Sequence, residues 1–314
     1  MAVARAYTPV NMFTADSFEA ELVEASATRI VLSDGADFGV YYGEGFTYDA
    51  SGLTGGTLTG YAAYVGSVLA IEVGGLAVDA ITAGNLINAN NLLTLFSVAL
   101  AGNDEIAGSN GDDALAGFTG NDIIDAGQGA NYIDGGEGFD FAAYANPLST
   151  YSFDIANGNL LVSSTDGLAR DTIAGVERLL FSDVALAFDT GAVQAFRLYQ
   201  AAFDRAPDLG GVSFWVNKID TGTSLLSAAA SFIGSDEFRS LYGTSPTDEQ
   251  FVDLLYENVL NRAADASGYS YWIGRMDTGL SREAVLLEFS ESPENQSNTA
   301  ASVRFGVILD YNYF

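Results

Sequence analysis

The chain has 314 residues, 48% of them hydrophobic, so it can bury a core and is not a disordered acidic tail. Its 41 acidic residues outnumber 12 basic ones, giving a net charge of −29; such a surface repels nucleic acid and anionic membranes and attracts cations. Cysteine and histidine are absent, which removes disulfides, thiolate chemistry and His-dependent catalysis, and leaves oxygen donors of the kind that suit calcium or magnesium rather than zinc.

Residues 1–25 begin "MAVARAYTPVNMFTADSFEAE" and read as an N-terminal arm. The arm has no continuous apolar stretch of signal-peptide type, and no run of about 18 apolar residues suggests a transmembrane segment. Residues 26–98 read as a β-rich segment ending in a capping helix. "TRIVLSDGADFGVYYGEGFTYD" and "GGTLTGYAAYVGSVLAIEV" are β-branched and aromatic runs broken by Asp-Gly and Gly. Tyr41, Tyr42, Tyr48, Tyr61 and Tyr64 form either an aromatic binding surface or a half-buried sheet face, and the second is the simpler reading. Leu86, Leu93, Phe96 and Leu100 fall near helical spacing, which predicts one helix from Ala83 to Leu100 covering the open apolar end of a repeat array.

That array spans residues 99–143 with a strict nine-residue period. Gly102, Gly111, Gly120, Gly129 and Gly138 recur, each succeeded two places later by Asp104, Asp113, Asp122, Asn131 and Asp140. Single apolar residues keep the same period: Ile106, Leu115, Ile124, Ile133 and Ala142. Each unit therefore has a Gly-rich loop half, in which carbonyls and a carboxylate converge, and a short strand half with one inward apolar residue. The units resemble the RTX (haemolysin-type) calcium-binding nonapeptide G-G-x-G-x-D-x-U-x. The resemblance implies a parallel β-roll of two repeats per turn, with several Ca2+ ions between loops two repeats apart. Asp104 would then face Asp122, and Asp122 would face Asp140, along one edge; Asp113 would face Asn131 along the other. Phe118 and Ala126 replace loop glycines, and the neutral Asn131 makes its site weaker. Calcium is expected to be structural, since stacked carboxylates without it repel.

Residues 144–190 are expected to extend and close the roll. "YSFDIANGNLLVSS" reads as a hairpin turning at Asn157-Gly158. From residue 191 to 302 the pattern is helical and duplicated at a shift of 57 residues. Tyr199 aligns with Tyr256, Arg205 with Arg262, Asp208 with Asp265, Trp215 with Trp272, Phe232 with Phe289 and Glu237 with Glu294. These repeats resemble the DUF4214 module. The Arg–Asp pairs belong at helix ends and the tryptophans in the core, or else Arg205, Arg262, Asp208, Asp265, Trp215 and Trp272 make a sugar-binding surface; the core reading is preferred. Residues 303–314, "VRFGVILDYNYF", largely alternate apolar and polar side chains and predict a C-terminal strand; the segment also resembles a type I secretion signal.

The predicted fold is thus a mainly β N-terminal region with an RTX parallel β-roll, then an all-α domain of two tandem helical repeats. No catalytic motif stands out, and with 41 acids a chance carboxylate pair carries no information about glycosidase chemistry. The chain is expected not to be an enzyme. The resemblance implies export by type I secretion machinery and folding in extracellular calcium at the cell surface. The expected role is a self-associating structural subunit of an extracellular layer, filament or biofilm matrix. The alternative is an adhesin that binds a surface polysaccharide, and a His-independent glycan-active enzyme ranks third.

Overall fold

The β-branched and aromatic runs before residue 80 form strands in the computed structural model, which describes residues 1–17 and 20–313. In chain order they are β1 (Val3–Ala6), β2 (Glu21–Ala25), β3 (Arg29–Ser33), β4 (Phe38–Asp49), β5 (Gly52–Val65) and β6 (Val68–Asp79). Strands β2 to β6 pair antiparallel with their neighbours in sequence. β1 lies between β6, to which it is antiparallel, and the first repeat strand, to which it is parallel. Residues 3–6 are therefore an interior strand and not part of a loose arm. Their alternating small side chains, with Ala4 and Ala6 buried, suit a position between two neighbours.

The helix expected from Ala83 to Leu100 is two helices, α1 (Ala80–Asn88) and α2 (Leu92–Ala99), both packed against β6. The break falls at "NANN". Asn90 takes a positive φ of 49°, and the Asn91 side chain accepts a hydrogen bond from the Thr94 N–H to start α2. The run of apolar residues concealed this interruption. β1 pairs with the first repeat strand, and residues 10–12 hydrogen-bond to Ala114, so the N-terminal residues cover the first repeats.

Each repeat contributes one three-residue strand: β7 (Glu105–Ala107), β8 (Ala114–Ala116), β9 (Ile123–Asp125), β10 (Tyr132–Asp134) and β11 (Phe141–Ala143). Successive repeats alternate between two sheets. β7, β9 and β11 pair parallel in one, and β8 and β10 pair parallel in the other. The middle residue of every strand is buried, and Leu115, Ile124 and Ala142 are wholly inaccessible. The chain then forms the hairpin β12 (Tyr151–Ala156) and β13 (Asn159–Ser164), turning at Asn157 and Gly158, both with positive φ. β14 (Arg170–Ala174) continues parallel to β10, and β15 (Arg178–Leu180) continues parallel to β11.

A second compact unit begins at Asp183. β16 (Val184–Ala187), placed by its sequence in the extension of the roll, belongs to this unit and pairs antiparallel with β17 (Val307–Asp310). The C-terminal strand is thus shorter than 303–314 and has its partner in its own chain; Tyr311–Tyr313 is a 3-10 turn, and Phe314 lies outside the described residues. Between them run α3 (Thr190–Phe203), α4 (Leu209–Asp220), α5 (Leu225–Ile233), α6 (Asp236–Tyr242), α7 (Asp248–Leu260), α8 (Ala266–Asp277), α9 (Arg282–Ser290) and α10 (Pro293–Thr299). Helices α4, α5 and α6 recur as α8, α9 and α10 at a shift of 57 residues at both ends. Phe251, Leu255, Val285 and Phe289 are fully enclosed in their shared core. Among the described residues, no helix is long and apolar enough to cross a membrane.

The tryptophans sit at the margin of this core. Trp215 packs edge-on to Phe232 at 4.7 Å, and Trp272 lies 4.8 Å from Phe289, but each remains half-buried. Phe289→Ala should therefore cost about 3–5 kcal/mol, the usual range for an enclosed aromatic, and Trp272→Ala distinctly less. Denaturant unfolding of the two variants checks the order; equal losses would mean that the indole is as enclosed as the phenyl ring.

Candidate metal centre

From the third repeat on, the loops leave no room for side chains at their period glycines. A Cβ at Gly120 would strike the Gly102 carbonyl, one at Gly138 the Gly120 carbonyl, and one at Gly129 the Gly111 carbonyl. The five period glycines thus form two stacks in which each loop rests on the backbone of the loop two repeats before it. This close approach brings the carboxylates into register.

Asp104, Asp122 and Asp140 stand in one column, all buried. The Asp104 N–H donates to Asp122 Oδ1 at 2.8 Å, and the Asp122 N–H donates to Asp140 Oδ1 at 2.8 Å. Asp104 Oδ1 accepts in the same way from the Ala2 N–H. Each carboxylate therefore uses Oδ1 to hold a main-chain N–H. The other oxygen, Oδ2, has no hydrogen-bond partner in any of the three. Asp122 Oδ2 and the Gly135 carbonyl both border the space over Gly117, which a Cβ would fill; Asp140 Oδ2 lies 2.8 Å from where a Cβ of Gly135 would be.

Partnerless carboxylate oxygens beside main-chain carbonyls form an oxygen-only set that fits calcium. Among the described residues, no three carboxylates converge on one point, so a cation here would be held largely by main-chain oxygens with one or two carboxylates.

The other column differs. Asp113 Oδ2 accepts from both the N–H and the hydroxyl of Ser109, at 2.7 and 2.9 Å, and its Oδ1 accepts from the Val10 N–H at 2.6 Å. Asn131 Oδ1 accepts from the Asp113 N–H at 2.9 Å. The Asn131 amide nitrogen donates to Asp171 Oδ1 at 2.8 Å and to the Gln128 carbonyl at 3.2 Å. An amide nitrogen here bridges a carboxylate and a loop carbonyl. The same repeat carries Ala126, whose buried methyl group replaces the glycine found at Gly108, Gly117 and Gly135. Asp171 Oδ2 makes no hydrogen bond and has the Tyr144 hydroxyl as its neighbour.

Both columns continue past the nonapeptides. The Asp140 N–H donates to Glu177 Oε2 at 2.8 Å, and Asp171 stands beyond Asn131. Neither Asp171 nor Glu177 was legible as a rung, because the nine-residue spacing has lapsed. The surviving signal is Asp171-Thr172-Ile173, an Asp two places before a buried Ile. The opposite ends are closed by main-chain N–H groups near the N-terminus: Ala2 donates to Asp104 Oδ1 and Val10 to Asp113 Oδ1. A second, outer ladder was equally hidden in the sequence. Asn103 Oδ1 accepts from the Asn121 N–H, and Asn121 Oδ1 from the Phe139 N–H.

Burial, and then the charges of Asp140 and Asp104, push the Asp122 carboxyl up to about 7; burial and then Glu177 raise Asp140. A carboxyl raised in the folded state favours the protonated folded chain. In chelator, stability should therefore fall as pH rises from about 4, the ordinary carboxylate value, through about 7. Calcium competes with the proton, so its stabilising effect should grow over the same interval. Melting temperatures with chelator and with calcium, at about pH 5 and about pH 8, check both signs; a chelated protein that melts higher at the alkaline pH would refute them.

In the helical unit, the residues that recur at the 57-residue shift meet one another within each copy. The Arg205 Nε donates to Glu237 at 2.8 Å, and its Nη2 to the Tyr199 hydroxyl at 2.7 Å. Arg262 grips Glu294 through Nε and Nη2 at 2.7 and 2.9 Å. Asp208 and Asp265 cap α4 and α8 by accepting from the N–H groups of Gly211 and Gly268. Trp215 and Trp272 pack on the core beside them.

Residues 98–117 and 108–142 match the family model of the RTX calcium-binding nonapeptide repeat, and residues 229–299 match that of the domain of unknown function DUF4214. The DUF4214 match begins within α5 and leaves the first part of the tandem outside it. Among solved structures, the extracellular lipase LipA from Serratia marcescens is similar at 27% identity and a TM-score of 0.25; the likeness covers 29% of this chain and 16% of the lipase. No curated protein matches the chain. RTX repeats bind calcium, and proteins that carry them are typically secreted. The chain carries RTX calcium-binding nonapeptide repeats within residues 98–142 and a DUF4214 domain at residues 229–299.

Proposed function

We propose that the repeats form a parallel β-roll that calcium holds together along the Asp104 column, and that the chain acts outside the cell as a calcium-stabilised subunit of an extracellular assembly. The observation that carries the calcium reading is the set of three buried, partnerless Oδ2 atoms on Asp104, Asp122 and Asp140. A buried charge without a partner is too costly to keep, so each marks a place for a cation. The Asp113 column needs none at Asp113 and Asn131, where Ser109 and the Asn131 amide supply the hydrogen bonds. The assembly reading is supported by β2, the outer strand of its sheet, whose Leu22 and Val23 are 62% and 66% exposed. An exposed apolar edge offers unpaired backbone groups to a second copy.

Calcium titration monitored by circular dichroism tests the first part. Asp122→Asn should raise the calcium midpoint well beyond the shift caused by Asp113→Asn, and direct ion counting should find no more than one ion for each partnerless oxygen of the Asp104 column. Equal shifts would mean that both columns bind alike. Light scattering tests the second part. The calcium-loaded wild type should associate and Val23→Lys should stay monomeric; a wild type that remains monomeric at high concentration, or a variant that associates normally, would remove the assembly role and leave the calcium column standing.

A further inference from the structure

The most apolar helix of the N-terminal unit buries almost nothing. α2 is Leu-Leu-Thr-Leu-Phe-Ser-Val-Ala, yet none of its eight residues is fully buried. Leu92, Leu95 and Phe96 instead turn toward a partly open cavity of about 220 Å³. Its opposite wall is the sheet, with Tyr41, Tyr61 and Ile71. Every one of these six side chains is only half-buried, because the space between helix and sheet is not filled. Dense packing is the rule in protein interiors, and a void of this size forfeits contacts on all sides.

The cavity also has a fastened rim. Asp16 and Ser17 line it and are tied to the turn between α1 and α2. Asn90 Oδ1 accepts from the Ser17 N–H at 2.6 Å and from its hydroxyl at 3.0 Å, while the Asn90 amide donates to Asp16 at 3.0 Å. The backbone at Asn90 takes its positive φ at this same contact. The two tyrosine rings of the sheet wall lie 4.9 Å apart, and their hydroxyls hydrogen-bond each other. Burial raises the phenol of Tyr61, so both hydroxyls are neutral.

We propose that this cavity is a binding site for an uncharged aliphatic molecule, an alkyl chain of about octyl size bearing at most a hydroxyl group. The volume sets the size, since it exceeds the roughly 150 Å³ of an apolar cavity that accepts benzene. Apolar walls reward a ligand that fills the space. The lining sets the absence of charge on the ligand. Among the described residues, no cationic side chain lines the cavity and its one charged group is Asp16; the chain as a whole is strongly acidic, so a carboxylate would enter unpaired.

The test uses the full chain in calcium, with circular dichroism confirming folding in every arm. The neutral fluorophore N-phenylnaphthylamine should bind with increased emission, octanol should displace it, and octanoate should displace it at least tenfold less well. Ala15→Trp and Ala99→Leu, which fill the cavity from the rim and from α2, should each weaken fluorophore binding at least tenfold. Loss of binding in either folded variant supports the site. A wild type that does not bind the fluorophore, or binding unchanged in both variants, overturns it. Equal displacement by octanoate overturns the neutral-ligand assignment.

Discussion

One hydrogen bond, repeated, organises the N-terminal unit: a main-chain N–H donating to a carboxylate oxygen 18 residues on. It fixes the register of the parallel strands, because a slip of one residue would move both the carboxylate and the inward Ile or Leu to the wrong face. It also leaves charge uncompensated. Satisfying Oδ1 by backbone pulls the whole carboxylate out of water and leaves Oδ2 buried. The geometry that stacks the repeats is thus the geometry that leaves these oxygens without a hydrogen-bond partner, and on the calcium reading proposed above folding and ion binding are coupled.

The two columns show how narrow that requirement is. A neutral amide at Asn131, a methyl group at Ala126 and a hydroxyl at Ser109 change the balance without changing the strand register: β8 and β10 pair as regularly as β7 and β9. A column with partnerless carboxylate oxygens and a largely hydrogen-bonded one therefore share a core. The ends obey the same rule. At one end the N–H groups of Ala2 and Val10 take the place of the next loop; at the other, Asp171 and Glu177 extend each column once more beyond the nonapeptides.

Features with a local physical cause were legible in the sequence. The nine-residue period located the short strands and their buried middle residues, and Asn157-Gly158 marked its hairpin because both residues tolerate positive φ. Features set by distant partners were not. Residues 3–6 carry no strong strand pattern; they are a strand because β6 and β7 flank them. The position of Glu177 depends on a separation of 37 residues from Asp140 that no period measures. The continuous apolar run from Leu92 hid the helix break, since the turn at Asn90 is held by Asp16 and Ser17 from far along the chain.

The helical tandem raises the question of why two copies keep the same uncommon set of Tyr, Arg, Asp, Gly and Trp. The copies have the same local problem. Asp204 and Asn261 both end a helix in the left-handed conformation, so the next residue, Arg205 or Arg262, leaves the helix with its guanidinium free to turn back. It lies over Tyr199 or Tyr256, at 5.0 and 4.8 Å, and donates to Glu237 or Glu294 at the start of the next short helix. A Cβ at Gly211 or Gly268 would press on the tyrosine hydroxyl, which accounts for the paired glycines. Each exposed ion pair contributes little alone. Together the cation–π contact, the guanidinium hydrogen bonds and the Asp cap tie the end of α3 or α7 to the helix that follows and to the short helix α6 or α10.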